Sequence, residues 1–205
     1  TVSSKLTLEG PIVKDRTTYL LAGRRTYADL FLPFAKDEDV RDNKLFFYDF
    51  NLKLSHMVNE NNRLYLSGYS GRDTFKNQFA SMGFGNQIAS MRWNHLFTKK
   101  LFFNLSLIYS RYNYELGTPE GDATSFKWTS MMRDYSVRFD FTHYLTDNHT
   151  LKYGATAMFH EFFPGTATGL GSESAFSEFV LPAEYAYEYS AYVSDEYKVS
   201  SKLTL

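Results

Sequence analysis

The sequence contains no cysteine among its 205 residues. This absence excludes disulfide scaffolds, thiol catalysis and thiolate metal sites together. The sequence also lacks any apolar run of about 18 residues, the length at which a membrane-spanning helix is inferred, and its mean hydropathy is −0.38. The formal net charge is only −1, which points neither to a nucleic-acid partner nor to a disordered acidic tail.

Aromatic residues, by contrast, are abundant. The 19 Phe, 16 Tyr and 2 Trp favour β-structure and also suit the aromatic girdles of membrane barrels. Apolar residues recur with period two, which indicates strands with one apolar face. The pattern is clear where Tyr135, Val137, Phe139, Phe141 and Leu145 alternate with Ser136, Arg138, Asp140 and Thr142.

The alternation predicts a succession of long strands, at 2–12, 17–28, 44–57, 63–72, 87–97, 101–114, 128–145, 150–161 and 184–197, with a tenth from about 201. Many of these reach the ~9–11 residues that a tilted strand needs to span a membrane. Short predicted turns near 13–16, 58–62, 98–100 and 146–149 alternate with long loops near 29–43, 73–86, 115–127 and 162–183. Bacterial outer-membrane barrels have short periplasmic turns and longer extracellular loops. We therefore predict an all-β fold, a segment of an antiparallel up-and-down transmembrane β-barrel.

Two other architectures fit the alternation. A soluble β-sandwich that binds carbohydrate through exposed aromatic residues would show the same period. A small complete barrel of about ten strands could act as a pore, an adhesin or a surface protease. The strand length, the loop pattern and the aromatic residues near predicted strand ends favour the membrane barrel over the sandwich; those aromatic residues are Tyr112, Tyr114, Phe162, Phe163 and the tyrosines from Tyr185 to Tyr192.

Both ends of the sequence resemble a known family. The first part of the sequence contains Glu9-Gly10-Pro11-Ile12, a short basic turn, Thr17-Thr18-Tyr19 and Gly23-Arg24-Arg25-Thr26-Tyr27. This succession resembles a recurrent stretch in the barrels of TonB-dependent receptors of Bacteroidetes. So does Asp195-Glu196-Tyr197-Lys198, which we predict as a turn leading into Lys202-Leu203-Thr204-Leu205.

The resemblance implies an outer-membrane location, with lipid around the barrel. It implies a barrel of about 22 strands with a plugged lumen, of which residues 1–205 would supply about ten strands and no plug domain. The implied activity is uptake of a nutrient such as a glycan, a peptide, a siderophore or a cobalamin-like ligand. The TonB energy-coupling protein, acting through the plug, would be one partner, and a surface lipoprotein is a further candidate.

If the sheet is a barrel wall, charged side chains should face the lumen, because a Lys or Arg that faces lipid near the midplane costs roughly 2–4 kcal/mol. The lumen-facing candidates are Lys53, Arg138, Asp140, Lys152 and Glu188. We expect them to pair with one another, with a plug or with water. No ligand-binding residue is singled out.

The sequence does not predict an enzyme. It lacks the Gly-x-Ser-x-Gly elbow of the α/β-hydrolases, and its five His show no metal-ligand spacing. The segment 36–42 gathers Asp37, Glu38, Asp39 and Asp42 but lacks the glycine and terminal glutamate of an EF-hand loop, so solvation accounts for it. We therefore predict no catalytic residue, no metal, no cofactor and, without a basic stripe, no nucleic-acid partner.

Overall fold

The protein is described by a computed structural model that covers residues 3–41, 43–121, 123–200 and 202–205, without the side chain of residue 39. These residues form a sheet of 11 strands. The strands are β1 Ser3–Val13, β2 Thr17–Thr26, β3 Lys44–Asn59, β4 Asn62–Lys76, β5 Ser81–Thr98, β6 Leu101–Gly117, β7 Phe126–Tyr144, β8 His149–Gly169, β9 Phe179–Val180, β10 Glu184–Ser200 and β11 Leu203–Thr204. Residue 2 of the first predicted strand and residue 201 of the tenth lie outside the described residues.

The sheet is antiparallel and almost purely up-and-down. Its order is β1-β2-β3-β4-β5-β6-β7-β8-β10-β11, with the two-residue β9 paired to β8. Each long strand therefore pairs with the next long strand in sequence, which confirms the predicted fold class. The loop between β2 and β3 holds α1 Ala28–Phe31, a 3-10 turn at Leu32–Phe34 and α2 Glu38–Arg41. No helix in the described ranges is long and apolar enough to cross a membrane.

The strands extend further toward the loops than the sequence predicts. The predicted loop 73–86 is wrong, since β4 and β5 pair up to Lys76 and Ser81 and leave only 77–80 as a turn. Asn77 closes this turn, because its Oδ1 accepts hydrogen bonds from the backbone N–H groups of Phe79 and Ala80. The segment contains Gly83 and Gly85, and glycine has low strand propensity, but pairing of β5 with both neighbouring strands overrides that propensity.

The turn predicted at 195–198 is also wrong. Asp195, Glu196 and Tyr197 belong to β10 and pair with Leu151, Thr150 and His149 of β8. Asp195 and His149 also meet through their side chains, at 2.7 Å between Oδ2 and Nδ1. At the end of β10, Lys198 and Ser200 pair with Thr204 and Leu203 of the short strand β11.

Within the described residues the protein is a single layer. Its buried apolar side chains are Ala22, Phe103 and Ala167, whereas long apolar side chains such as Leu6, Tyr187 and Val193 stay more than half exposed. A soluble sandwich buries one face of each sheet against a second sheet. The described residues therefore do not form the two-sheet sandwich that was considered as an alternative, and their apolar face is not covered by a second sheet.

Candidate functional site

The cross-strand register assigns side chains to two faces of the sheet. Residues that are register partners on neighbouring strands point to the same face. From Arg138 the successive partners are Ser106, Arg92, Tyr65 and Ser55. Ser55 is two residues from Lys53 on β3, so Arg138 and Lys53 lie on the same face. Asp140, Lys152 and Glu188 fall on this same face by alternation and pairing. We call it the polar face. The structure thus places all five predicted polar candidates on one side of the sheet.

A three-residue cluster joins β7 to β10 on the polar face. Nε of Arg138 donates to both carboxylate oxygens of Asp140, at 3.0 and 2.8 Å. The phenol of Tyr192 donates to Oδ1 of the same carboxylate at 2.8 Å. Gly154 of β8 lies between them as the register partner of both Asp140 and Tyr192. Having no side chain, it leaves space for the tyrosine ring to cross β8.

A second cluster surrounds His160 on the same face. Oδ1 of Asp134 lies 2.7 Å from Nδ1 of His160, and its Oδ2 accepts a hydrogen bond of 2.9 Å from Ser110. Glu188 approaches the other ring nitrogen of His160 at 3.7 Å. The cluster fixes the carboxylate of Asp134 with donors from two neighbouring strands, β6 and β8, and leaves Glu188 on β10 largely exposed.

The remaining two candidates differ in their partners. Nζ of Lys152 lies 3.2 Å from Oε2 of Glu196 on β10. Within the part of the chain that the structure describes, Lys53 has no ion pair, and its cross-strand neighbours are Leu20 and Ser67. Of the five candidates, Arg138 and Asp140 pair with each other, while Lys152 and Glu188 pair with residues that the sequence did not single out.

The opposite side of the sheet, the apolar face, carries a row of aromatic rings toward the loops. The register aligns Tyr109, Tyr135, Phe159 and Tyr187 across β6, β7, β8 and β10. Successive ring centroids lie 5.3, 6.2 and 4.9 Å apart. We call this the loop-side ring row.

A second row of rings lies toward the short turns. Phe103, Phe141 and Tyr153 are register partners, with centroids 4.8 and 5.0 Å apart. The ring of Trp93 extends this turn-side ring row, 5.9 Å from Phe103. Between the rows the face is aliphatic or aromatic, and on β6 it runs from Leu101 to Tyr109. That length matches the ~9–11 residues of a tilted membrane-spanning strand.

Charged residues begin immediately beyond the loop-side ring row. The next positions on this face are Arg111, Arg133 and Glu161, which are register partners on β6, β7 and β8. Arg133 and Glu161 form an ion pair at 3.1 Å. Further toward the loops, Glu115 pairs with Arg72 at 3.0 Å and with Lys127 at 3.4 Å. The apolar band therefore ends at the same level on three adjacent strands.

Sequence reasoning missed this level of charge and misplaced part of the aromatic girdle. Tyr112 and Tyr114 have the polar-face alternation of β6, so they do not belong to the loop-side ring row. The missed signal lies in the spacing, because each of three strands changes from a ring to a charge two residues later. Tyr109 is followed by Arg111 on β6, and Phe159 is followed by Glu161 on β8. On β7, which runs in the opposite direction, Arg133 comes before Tyr135.

The acidic segment has ordinary partners where it is described. Glu38 forms an ion pair with Arg41 at 2.6 Å. Asp42 and the side chain of Asp39 lie outside the described residues. No group of three or more potential metal ligands occurs within the described ranges of the chain.

Three solved structures share the fold over almost the whole chain. The ferric yersiniabactin uptake receptor FyuA from Yersinia pestis matches 97% of the chain with a TM-score of 0.68 at 11% identity. The copper transporter OprC matches 97% with a TM-score of 0.71 at 10% identity. BauA, the ferric preacinetobactin receptor from Acinetobacter baumannii, matches 95% with a TM-score of 0.66 at 13% identity.

These neighbours are TonB-dependent receptor barrels, and the chain covers 35%, 32% and 36% of their lengths. The chain thus spans about a third of each neighbour. No family model and no curated protein matches the sequence. The likeness at this level of identity is one of fold: an up-and-down sheet that corresponds to part of a TonB-dependent receptor barrel.

Proposed function

We propose that residues 1–205 form part of the barrel wall of a TonB-dependent outer-membrane receptor, with the apolar face toward lipid and the polar face toward the lumen. The observation that carries the proposal is the apolar band between two rows of aromatic rings, on a sheet whose other face carries paired charges. Outer-membrane barrels have this outward apolar band, flanking aromatic girdles and polar interior.

The edges of the sheet support a barrel larger than this chain. In the described ranges, β1 pairs with β2 alone, and β10 with its short partner β11 forms the other end of the sheet. Unpaired backbone groups cannot remain in contact with lipid, so a spanning sheet must close on itself. Further strands on both sides would close it, as in the 22-stranded outer-membrane transporters.

The proposed activity is energy-coupled uptake of a nutrient. The neighbours named above are a ferric yersiniabactin uptake receptor, a copper transporter and a ferric preacinetobactin receptor. The sequence resemblance to receptors of Bacteroidetes adds other nutrients, so the proposed cargo is a glycan, a peptide, a siderophore or a cobalamin-like ligand. The TonB protein would act through a plug domain, and a surface lipoprotein is a further proposed partner. The loops between β2 and β3, β6 and β7, and β8 and β10 are the proposed ligand-facing elements.

Single cysteine substitutions test the orientation of the faces, and residues 1–205 contain no cysteine of their own that would also take up the label. Leu107→Cys and Ser106→Cys are adjacent on β6 and point to opposite faces. In the complete receptor in bilayers, a spin label at Leu107→Cys should be accessible to oxygen dissolved in lipid, and one at Ser106→Cys to a water-soluble nickel chelate. The reverse pattern would overturn the orientation, and access of the nickel chelate to both would remove the membrane assignment.

The size of the native protein provides a separate test. The chain has a mass of 23.8 kDa, so a complete receptor should be several times heavier and should fractionate with the outer membrane. Accumulation of cargo should also stop when the proton-motive coupling of TonB is abolished. A native outer-membrane protein near the mass of this chain would favour a small pore instead.

A further inference from the structure

We propose that Arg111 and Arg133 bind the phosphate of an anionic membrane lipid on the outer surface of the barrel, just beyond the loop-side ring row. The inference rests on the proposed function, because it requires the apolar face to contact lipid. It adds a binding site to that face, with a lipid headgroup as its ligand.

The first observation is an unbalanced pair of cations. Arg111 and Arg133 are direct cross-strand partners, and like charges placed opposite each other destabilise a sheet. Arg133 has Glu161 as its ion-pair partner at 3.1 Å. Arg111 has the uncharged Gln87 on its other side. The two guanidinium groups therefore share one neighbouring carboxylate, and a second anion would balance the pair.

The second observation is a donor without an acceptor. Nε of Arg111 is buried and has no hydrogen-bond partner within the described ranges of the chain, and the same holds for Oε2 of Glu161. A ligand cannot reach a buried nitrogen, so a phosphate would approach the terminal nitrogens of the same guanidinium group. The planar guanidinium matches phosphate oxygens in bidentate geometry, which makes arginine the preferred residue for this recognition.

The position of the pair selects a lipid as the source of the phosphate. Tyr109 and Tyr135, two residues away on the same strands, are rings of the loop-side row, and aromatic rings of this type lie at the headgroup level of a membrane. Below that row lies an open apolar groove of about 830 Å³, whose lining includes Tyr109, Tyr135 and Phe159 together with the small residues Gly68, Ala89 and Ala157. An acyl chain would occupy the groove while its phosphate meets the arginines.

The surrounding charge favours an anion. On the same face toward the loops, Glu115 is shared by two cations, Arg72 and Lys127. With Arg111 and Arg133 against Glu161, this level of the apolar face has more cations than carboxylates. Each basic residue near the membrane surface attracts anionic lipid, so an anionic headgroup is favoured at this surface.

The experiment is a lipid titration of the complete receptor in detergent, read by native mass spectrometry. The probes are phosphatidic acid and phosphatidylcholine with identical acyl chains, and inorganic phosphate alone. We expect phosphatidic acid to bind more tightly than phosphatidylcholine, and the preference to fall about tenfold or more in the double variant Arg111→Gln/Arg133→Gln, the loss expected for charge-assisted hydrogen bonds. Arg138→Gln, on β7 but on the polar face, is the matched control and should keep the preference.

A conservative variant keeps the proposal testable if the double variant does not fold. Arg111→Lys retains the charge but loses the bidentate geometry, so part of the preference should disappear. An unchanged preference in Arg111→Lys and in the double variant would overturn the site, as would equal loss in Arg138→Gln. Competition by millimolar inorganic phosphate as effective as that by lipid would assign the arginines to a free anion and overturn the lipid proposal. Oxygen accessibility at Leu107→Cys, measured separately, shows whether the membrane orientation itself holds.

Discussion

The phenol of Tyr192 on β10 donates a hydrogen bond of 2.8 Å to Asp140 on β7, although β8 lies between these two strands. The bond depends on Gly154, the register partner of both residues. A Cβ atom at position 154 would lie 2.7 Å from Cε1 of Tyr192 and 2.4 Å from the backbone oxygen of Phe139. The polar cluster therefore exists because one residue of the intervening strand lacks a side chain.

Gly154→Ala should consequently destabilise the sheet. The backbone oxygen of Phe139 cannot rotate away as a side chain could, so we expect a loss of about 1–3 kcal/mol, the usual range for overpacking. Urea unfolding of the receptor in lipid vesicles measures the loss. Gly68→Ala is the matched control, because its Cβ would meet its nearest atom at an ordinary 3.8 Å. Equal stability of the two variants would contradict the explanation.

Arg138→Leu and Leu107→Arg test the two faces through stability. Arg138 is about half exposed, at 51% of its side chain, and surface ion pairs contribute roughly 0–1 kcal/mol, so Arg138→Leu should lose no more than about 1 kcal/mol. Leu107→Arg places a charge in the apolar band and should cost roughly 2–4 kcal/mol if it lies near the midplane. If the polar face contacted lipid instead, Arg138→Leu would increase stability.

Asp134 should contribute more to the stability of the sheet than Ser110, whose hydroxyl donates a hydrogen bond to it. Asp134→Ala removes the acceptor of Ser110 and the carboxylate partner of His160. Leaving both groups unpaired should cost about 1–3 kcal/mol, whereas Ser110→Ala removes one hydrogen bond and should cost about 0.5–1.5 kcal/mol. The same urea titration compares them. A larger loss in Ser110→Ala than in Asp134→Ala would show that the carboxylate does not organise this cluster.

Gly165→Ala should displace the ring of Trp128. Next to Pro164, Gly165 occupies the irregularity where β8 contains an extra residue relative to β7. A Cβ there would lie 1.9 Å from Cζ2 of Trp128, and an indole ring is rigid. We expect Gly165→Ala to shift the tryptophan emission maximum of the receptor, and this shift should be absent in a Trp128→Phe background. Gly23→Ala, whose Cβ would lie 4.0 Å from the nearest atom, should leave the emission unchanged.

The local sequence was sufficient to predict where most strands lie and which residues share a face. Alternation along a strand has a fixed period of two, so Arg138 and Asp140 had to lie together, opposite Phe139. The local sequence was insufficient to predict the structure of residues 73–86 and 195–198. There, glycine, asparagine and charged residues look like turns, but hydrogen bonds from neighbouring strands hold them in the sheet.

An antiparallel sheet with one apolar and one polar face follows from the local sequence, because period and composition act within each strand. Which residues meet between strands depends on the tertiary structure. The register aligned Tyr109 with Tyr135 and Arg111 with Arg133, and the absence of a side chain at Gly154 allowed Tyr192 to reach Asp140. These relationships depend on how far each strand slides along its neighbour, and the pairing of distant segments sets that distance.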